Sequence, residues 1–190
     1  MPIKFQESFR VQASVERVWR FLTDPHEVVT CMPGAELVEV QDERTFRGHV
    51  KVRLGPITVA YAGRVHLEEL DEVDHRVCMV GEGRETGGAG SARMRMLSQV
   101  RALPDGGAEV VVDAEVDLAG RVVQFGRGMV EDVARQLFQD FAACVRARME
   151  RPLEAPVGPT GGRPVRAIPL AWRALGQAIV RFFRRLLGKT

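Results

Sequence analysis

Residues 3 to 11, IKFQESFRV, alternate apolar and polar, and a period of two predicts a strand with one face against a core. Ser14 then stands where its hydroxyl can cap a short helix over VERVWRFLTD, and Asp24-Pro25 breaks that helix. A second short helix, HEVVTCM, stops at Pro33-Gly34. Six further alternating runs follow, at 35–42, 44–54, 57–69, 76–84, 92–102 and 108–118, divided by turn signals such as Leu-Gly-Pro, Asp-Glu-Val-Asp and Pro-Asp-Gly-Gly. From about Val122 to Met149 the period becomes helical, with Met129, Val133, Leu137, Phe141 and Cys144 on one stripe and Glu131, Asp132, Arg135 and Gln139 away from it.

This order predicts an α+β protein in which a curved seven-stranded antiparallel sheet buries one face against a long C-terminal helix. Parity along the strands puts Phe46, Val50, Val52, Leu54, Ile57, Val59, Tyr61, Val65, Leu67, Met94, Met96, Val110, Val112, Val116 and Leu118 inward. Arg47, His49, Lys51, Arg53, Arg64, His66, Arg93, Arg95, Glu109, Asp113, Glu115 and Asp117 fall on the solvated face. A one-sided sheet wrapped on a helix commonly keeps a cavity between the two, where a small ligand sits. The expected lining is Met32, Phe46, Val52, Val59, Tyr61, Met79, Met94, Met96, Phe125, Met129, Val133 and Leu137. Its methionines suit an irregular apolar ligand, since thioethers conform to their neighbours, although ordinary core packing also uses them. Pro33-Gly34 at one end, and Gln124 and Phe125 at the start of the long helix, are expected near openings.

Four strings carry a resemblance to a known family: DPHEVVTCMPGAELVEV from Asp24 to Val40, VRLGPITVAYAGRV from Val52 to Val65, GEGRETGGAGSARM from Gly81 to Met94, and GRVVQFGRGMVEDVARQLFQDF from Gly120 to Phe141. The element order resembles the helix-grip fold of the START-like (SRPBCC) superfamily. Within it, the strings are similar to the carbon monoxide dehydrogenase G-subunit family, over about 150 residues. Arg84, Glu85 and Thr86 stand where that family usually has small or glycine-rich residues. The resemblance implies association with a molybdenum hydroxylase of the carbon monoxide dehydrogenase type, in its maturation, membrane attachment or electron transfer.

Charge changes the picture at the C-terminus. Arg163, Arg166, Arg173, Arg181, Arg184, Arg185 and Lys189 give residues 163–190 a charge of +7, so residues 1–162 carry −5 of the total +2. A Pro/Gly-rich stretch over 152–169 divides the 1–151 domain, read as START-like and ligand-binding, from LAWRALGQAIVRFFRRLLGKT. As a helix over 170–188, that segment puts Trp172, Leu175, Ile179, Val180, Phe182, Phe183, Leu186 and Leu187 on one half and Arg173, Gln177, Arg181, Arg184 and Arg185 on the other. Arginines opposite aromatics on a tethered helix point to an anionic membrane surface. Docking on the domain itself or on a partner is the alternative for any amphipathic helix. Nucleic acid is not expected, because phosphate repels the acidic body.

No apolar run of about 18 residues occurs, so no membrane-spanning helix is expected, and MPIKFQESFRV lacks the regions of a signal peptide. Cys31, Cys78 and Cys144 are odd in number and far apart, and are expected as buried thiols in a reducing cytoplasm, with no metal site. Catalytic constellations are thin. His26, His49, His66 and His75 share no fixed spacing, and the glycines from Gly81 to Gly90 lead into a strand, so they lack the helix N-terminus that cradles phosphate. They read as a loop gating the cavity. With Tyr61 the one polar residue on the inward list, a binder is favoured over an enzyme. The resulting expectation is a non-enzymatic accessory protein, cytoplasmic and peripheral to the inner face of the cell membrane. It would have no covalent cofactor and would carry a lipid or a respiratory quinone, menaquinone or ubiquinone. A cavity enzyme of the cyclase or dehydratase type, and a pure tether or maturation factor with a filled core, are the competing readings.

Overall fold

The computed structural model describes residues 1–150, so the linker and amphipathic helix expected over 152–188 lie outside the described residues. Seven strands form one antiparallel sheet: β1 (Pro2–Val11), β2 (Ala35–Asp42), β3 (Thr45–Leu54), β4 (Ile57–Asp71), β5 (Arg76–Glu85), β6 (Ser91–Ala102) and β7 (Ala108–Ala119). Their order is β1-β7-β6-β5-β4-β3-β2, a meander closed on one side by the N-terminal strand. Two short helices, α1 (Val15–Thr23) and α2 (Pro25–Val29), fill the connection from β1 to β2, and α3 (Gly126–Met149) follows β7. This is the α+β arrangement that the alternation predicts, with strand ends within two residues of the expected ones.

Local chemistry sets the boundaries. Ser14 caps α1 by accepting from the Arg17 amide at 3.4 Å, and Asp24 caps α2 by accepting from the His26 amide at 2.9 Å, with Pro25 in the first turn where its missing N–H costs nothing. The long helix starts later than its periodicity suggests. Arg121–Phe125 form a 3₁₀ turn first, and α3 begins only at Gly126, whose φ is 76°. The sheet-facing stripe of α3 is also rotated: Val130, Ala142, Val145 and Met149 are buried, whereas Met129 is 42% exposed.

The core divides into two clusters. Phe9, Val11, Val18, Phe21, Val110 and Val145 gather at one end, where Phe9 meets Phe138 and Phe141 edge to face at 5.8 and 6.2 Å. Ile3, Leu54, Val59, Tyr61, Val122 and Val130 gather at the other. Cys31 and Cys144 are not thiols: they form a disulfide, with Cα atoms 5.4 Å apart, that ties the turn after α2 to α3. Only the folded chain brings two residues 113 positions apart within bonding distance. Cys78 is the free cysteine, buried beneath Glu68 and Arg95 on the convex face.

Candidate functional site

The register aligns inward positions into rows that run across the strands. One row reads Val116, Met94, Gly81, Val65, Phe46, and the next reads Ala114, Met96, Met79, Leu67. The third carries almost no side chain: Leu118, Ala92, Gly83, Gly63, Gly48, Leu37. Two of these glycines are required by the backbone. A Cβ on Gly48 would lie 2.7 Å from the Glu36 carbonyl oxygen, and one on Gly63 would lie 2.7 Å from the Gly83 Cα and closer still to the Glu82 carbonyl. Close strand approach at these points bends the sheet, and the same glycines leave the middle of its concave face bare.

Around that bare row the side chains are apolar and only half-buried: Phe46, Val50, Val52, Val65, Met94 and Met96 are neither sealed in core nor fully in water. Half-exposed apolar side chains on the inside of a curved sheet form a surface that an apolar guest can cover. At the free edge the face opens into a groove of about 570 Å³ between β2 and α2, with Leu37 opposite Gly48 and Val40 opposite Phe46. The turn at Pro33-Gly34 borders this edge, where Gly34 sits at φ 74° and its carbonyl accepts from the Lys51 amide at 2.8 Å.

The expected lining therefore divides. Phe46, Val52, Val59, Tyr61, Met79, Met94 and Met96 share the concave face, and Val133 packs against the cluster that holds Tyr61. Phe125 and Leu137 are half-buried on the helical layer. Met129, in the first turn of α3, is 42% exposed, while its neighbour Val130 is buried in the cluster that holds Tyr61. Met32 is likewise 47% exposed in the turn after α2. Trp172, Arg173, Leu175, Ile179, Arg181, Phe182, Phe183, Arg184, Arg185 and Leu186, expected to meet a membrane, lie outside the described residues.

The inward face carries an ionisable group that alternation over 76–84 stopped one residue short of. Glu85 pairs across the strands with Tyr61 and is 6% exposed. One carboxylate oxygen accepts from Arg121 at 2.5 Å, the other from the Gly90 amide at 3.2 Å. The Arg121 hydrogen bond, and then its charge, hold the Glu85 carboxyl below the usual carboxylate range. Desolvation, followed by the nearby Glu85 charge, pushes the Tyr61 phenol up. Glu7, inward on β1, pairs with Arg135 of α3 at 3.3 Å. The inference that no ionisable pair faces inward is thus corrected, and with it the main sequence argument against an enzyme. Parity with Met79, Gly81 and Gly83 is the signal that would have placed Glu85.

A family model described as the G subunit of carbon monoxide dehydrogenase (CoxG) matches residues 8–150. Among solved structures, a conserved protein from Geobacillus kaustophilus is similar, at 18% identity and a TM-score of 0.70, covering 77% of this chain and 95% of its own. An aromatase/cyclase, ZhuI of Streptomyces sp. R1128, is 16% identical with a TM-score of 0.61, covering 83% and 99%. A START superfamily protein from Mycobacterium smegmatis is 15% identical with a TM-score of 0.56, covering 77% and 97%. No curated protein matches the sequence.

Proposed function

This chain belongs to the CoxG family of carbon monoxide dehydrogenase, and on that basis we propose that it is a non-enzymatic accessory protein of a carbon monoxide dehydrogenase-type molybdenum hydroxylase. In this reading it takes a lipophilic molecule on its concave face and links the enzyme to the membrane. The observation that carries the ligand half is the glycine row, Gly48, Gly63 and Gly83, flanked by half-buried Val50, Val52, Val65 and Met94. A respiratory quinone, menaquinone or ubiquinone, suits both halves, because it is dissolved in the membrane and accepts the electrons such an enzyme must dispose of. The membrane half rests on the sequence of residues 170–188, with arginines opposite Trp172, Phe182 and Phe183. It implies a cytoplasmic protein held at the inner face of the cell membrane.

The test is direct. Eight apolar side chains at about 1 kcal/mol each, with about 1 kcal/mol for each of the four arginines of the polar face near an anionic surface, give a gross gain of about 12 kcal/mol before ordering costs. Binding of the full chain to anionic vesicles should then be around micromolar and weaken with salt, and should vanish on deletion of residues 153–190. Protein recovered from membranes should carry an extractable quinone or lipid, read by native mass spectrometry. Equal sedimentation of full and truncated chains sinks the membrane half, and a ligand-free mass sinks the carrier half. Tyr61 beside the Glu85–Arg121 pair favours one second reading, an enzyme of the cyclase or dehydratase type acting on the concave face; cyclisation or dehydration of a neutral ketone, lost in Glu85→Gln, would establish it.

A further inference from the structure

Tyr61 is 8% exposed, and its hydroxyl is buried with no hydrogen-bond partner among the described residues. Buried polar atoms without partners are uncommon in folded proteins and costly, so one on the inner face calls for an explanation. Glu85, the nearest acceptor by register, is committed elsewhere: one of its oxygens takes the Arg121 guanidinium and the other the Gly90 amide. The carboxylate is also held in place. A Cβ on Gly88 or on Gly90 would lie 2.5 Å from it, so these glycines close around it without side chains. Glu85 therefore stays turned to Arg121, and the phenol is left over.

The surroundings define what could use that phenol. Val50 is its neighbour on the other side, Gly83 and Gly63 leave the adjoining row bare, and Val59, Val122 and Val130 complete an apolar wall. Glu85 and Arg121 cancel each other's charge, so the site offers no net attraction to an ion. The phenol stays protonated because burial and the Glu85 charge both disfavour its anion, which makes it a hydrogen-bond donor. An apolar wall with one donor and no net charge fits a neutral aromatic or polyprenyl-type molecule that carries a carbonyl oxygen. We propose that Tyr61 is the polar anchor of the concave face, donating its hydroxyl proton in a hydrogen bond to a carbonyl oxygen of a neutral lipophilic ligand.

Because the hydroxyl is sealed, the ligand must displace part of the wall. This inference rests on the carrier reading, and the two are separable by one experiment on the full chain. Binding of menadione and of methylnaphthalene, nearly the same shape with and without carbonyls, is measured for wild type and Tyr61→Phe, together with Tm. Wild type should prefer menadione by about three- to tenfold, the worth of one neutral hydrogen bond, and Tyr61→Phe should bind both alike while melting no lower. Equal preference in the two proteins overturns the anchor and leaves the carrier intact. A fall in Tm with both affinities reduced in parallel assigns Tyr61 to packing and also overturns it. If neither probe binds the wild type, both readings fall.

Discussion

Breaking the Cys31–Cys144 bond should cost this domain more than almost any single core substitution. The bond closes a chain segment of 113 residues. In the chain-entropy description, a cross-link over a loop of that length restricts the unfolded ensemble by about 4–5 kcal/mol. The exposed Arg148–Glu27 pair at 3.0 Å also joins α2 to α3, but surface pairs contribute about 0–1 kcal/mol, so it offsets little of the loss. For a domain of this size each kcal/mol moves Tm by about 2–4 °C, so Cys31→Ala with Cys144→Ala should melt about 10–20 °C below the oxidised wild type. The assay is thermal unfolding by circular dichroism with and without reductant, beside a thiol count on denatured protein. Unreduced chains should expose Cys78 alone of the three cysteines. Three thiols in unreduced protein, or a Tm indifferent to reductant and to both substitutions, would overturn this account. A reducing cytoplasm keeps such bonds open, so the proposed location and the bond pull in opposite directions, and thiols trapped in intact cells decide between them.

Gly63→Val should cost about 3 kcal/mol, because the atoms its Cβ meets, the Glu82 carbonyl and the Gly83 Cα, are backbone and can yield only by parting β4 from β5; an unchanged denaturation midpoint would count against the argument. Acid should destabilise the domain in a defined window. The Arg93 and Arg64 hydrogen bonds and charges hold Glu82 below the ordinary carboxylate range, and Arg121 does the same for Glu85. Groups whose folded pKa is depressed contribute stability that is present above their unfolded pKa and lost as pH falls through the folded one, so Tm should hold near neutrality and fall below about pH 4, less steeply in Glu82→Gln; a Tm flat from pH 6 to pH 3 would contradict this.

The sheet was legible because an antiparallel sheet with one buried face must alternate residue by residue, and β1, β6 and β7 do so clearly, whereas β2 and β5 depart from it. Its partner helix was legible for the complementary reason, a change of period after Gly120. What alternation could not reach is where these elements stop touching one another. Met129 satisfies the helical stripe of Val133, Leu137 and Phe141, yet it is exposed, because the buried face of α3 at this end runs through its neighbour Val130. Glu85 follows the inward parity of Gly81 and Gly83, but a charged residue beside glycines reads as a loop until Arg121, 36 positions away, arrives to pair with it. Cys31 and Cys144 have no local signature at all. Period and turn chemistry depend on neighbours in the chain, so a single sequence is enough to read them; burial of a charge, pairing of cysteines and vacancy beside a glycine depend on atoms that come near one another only when the chain has folded.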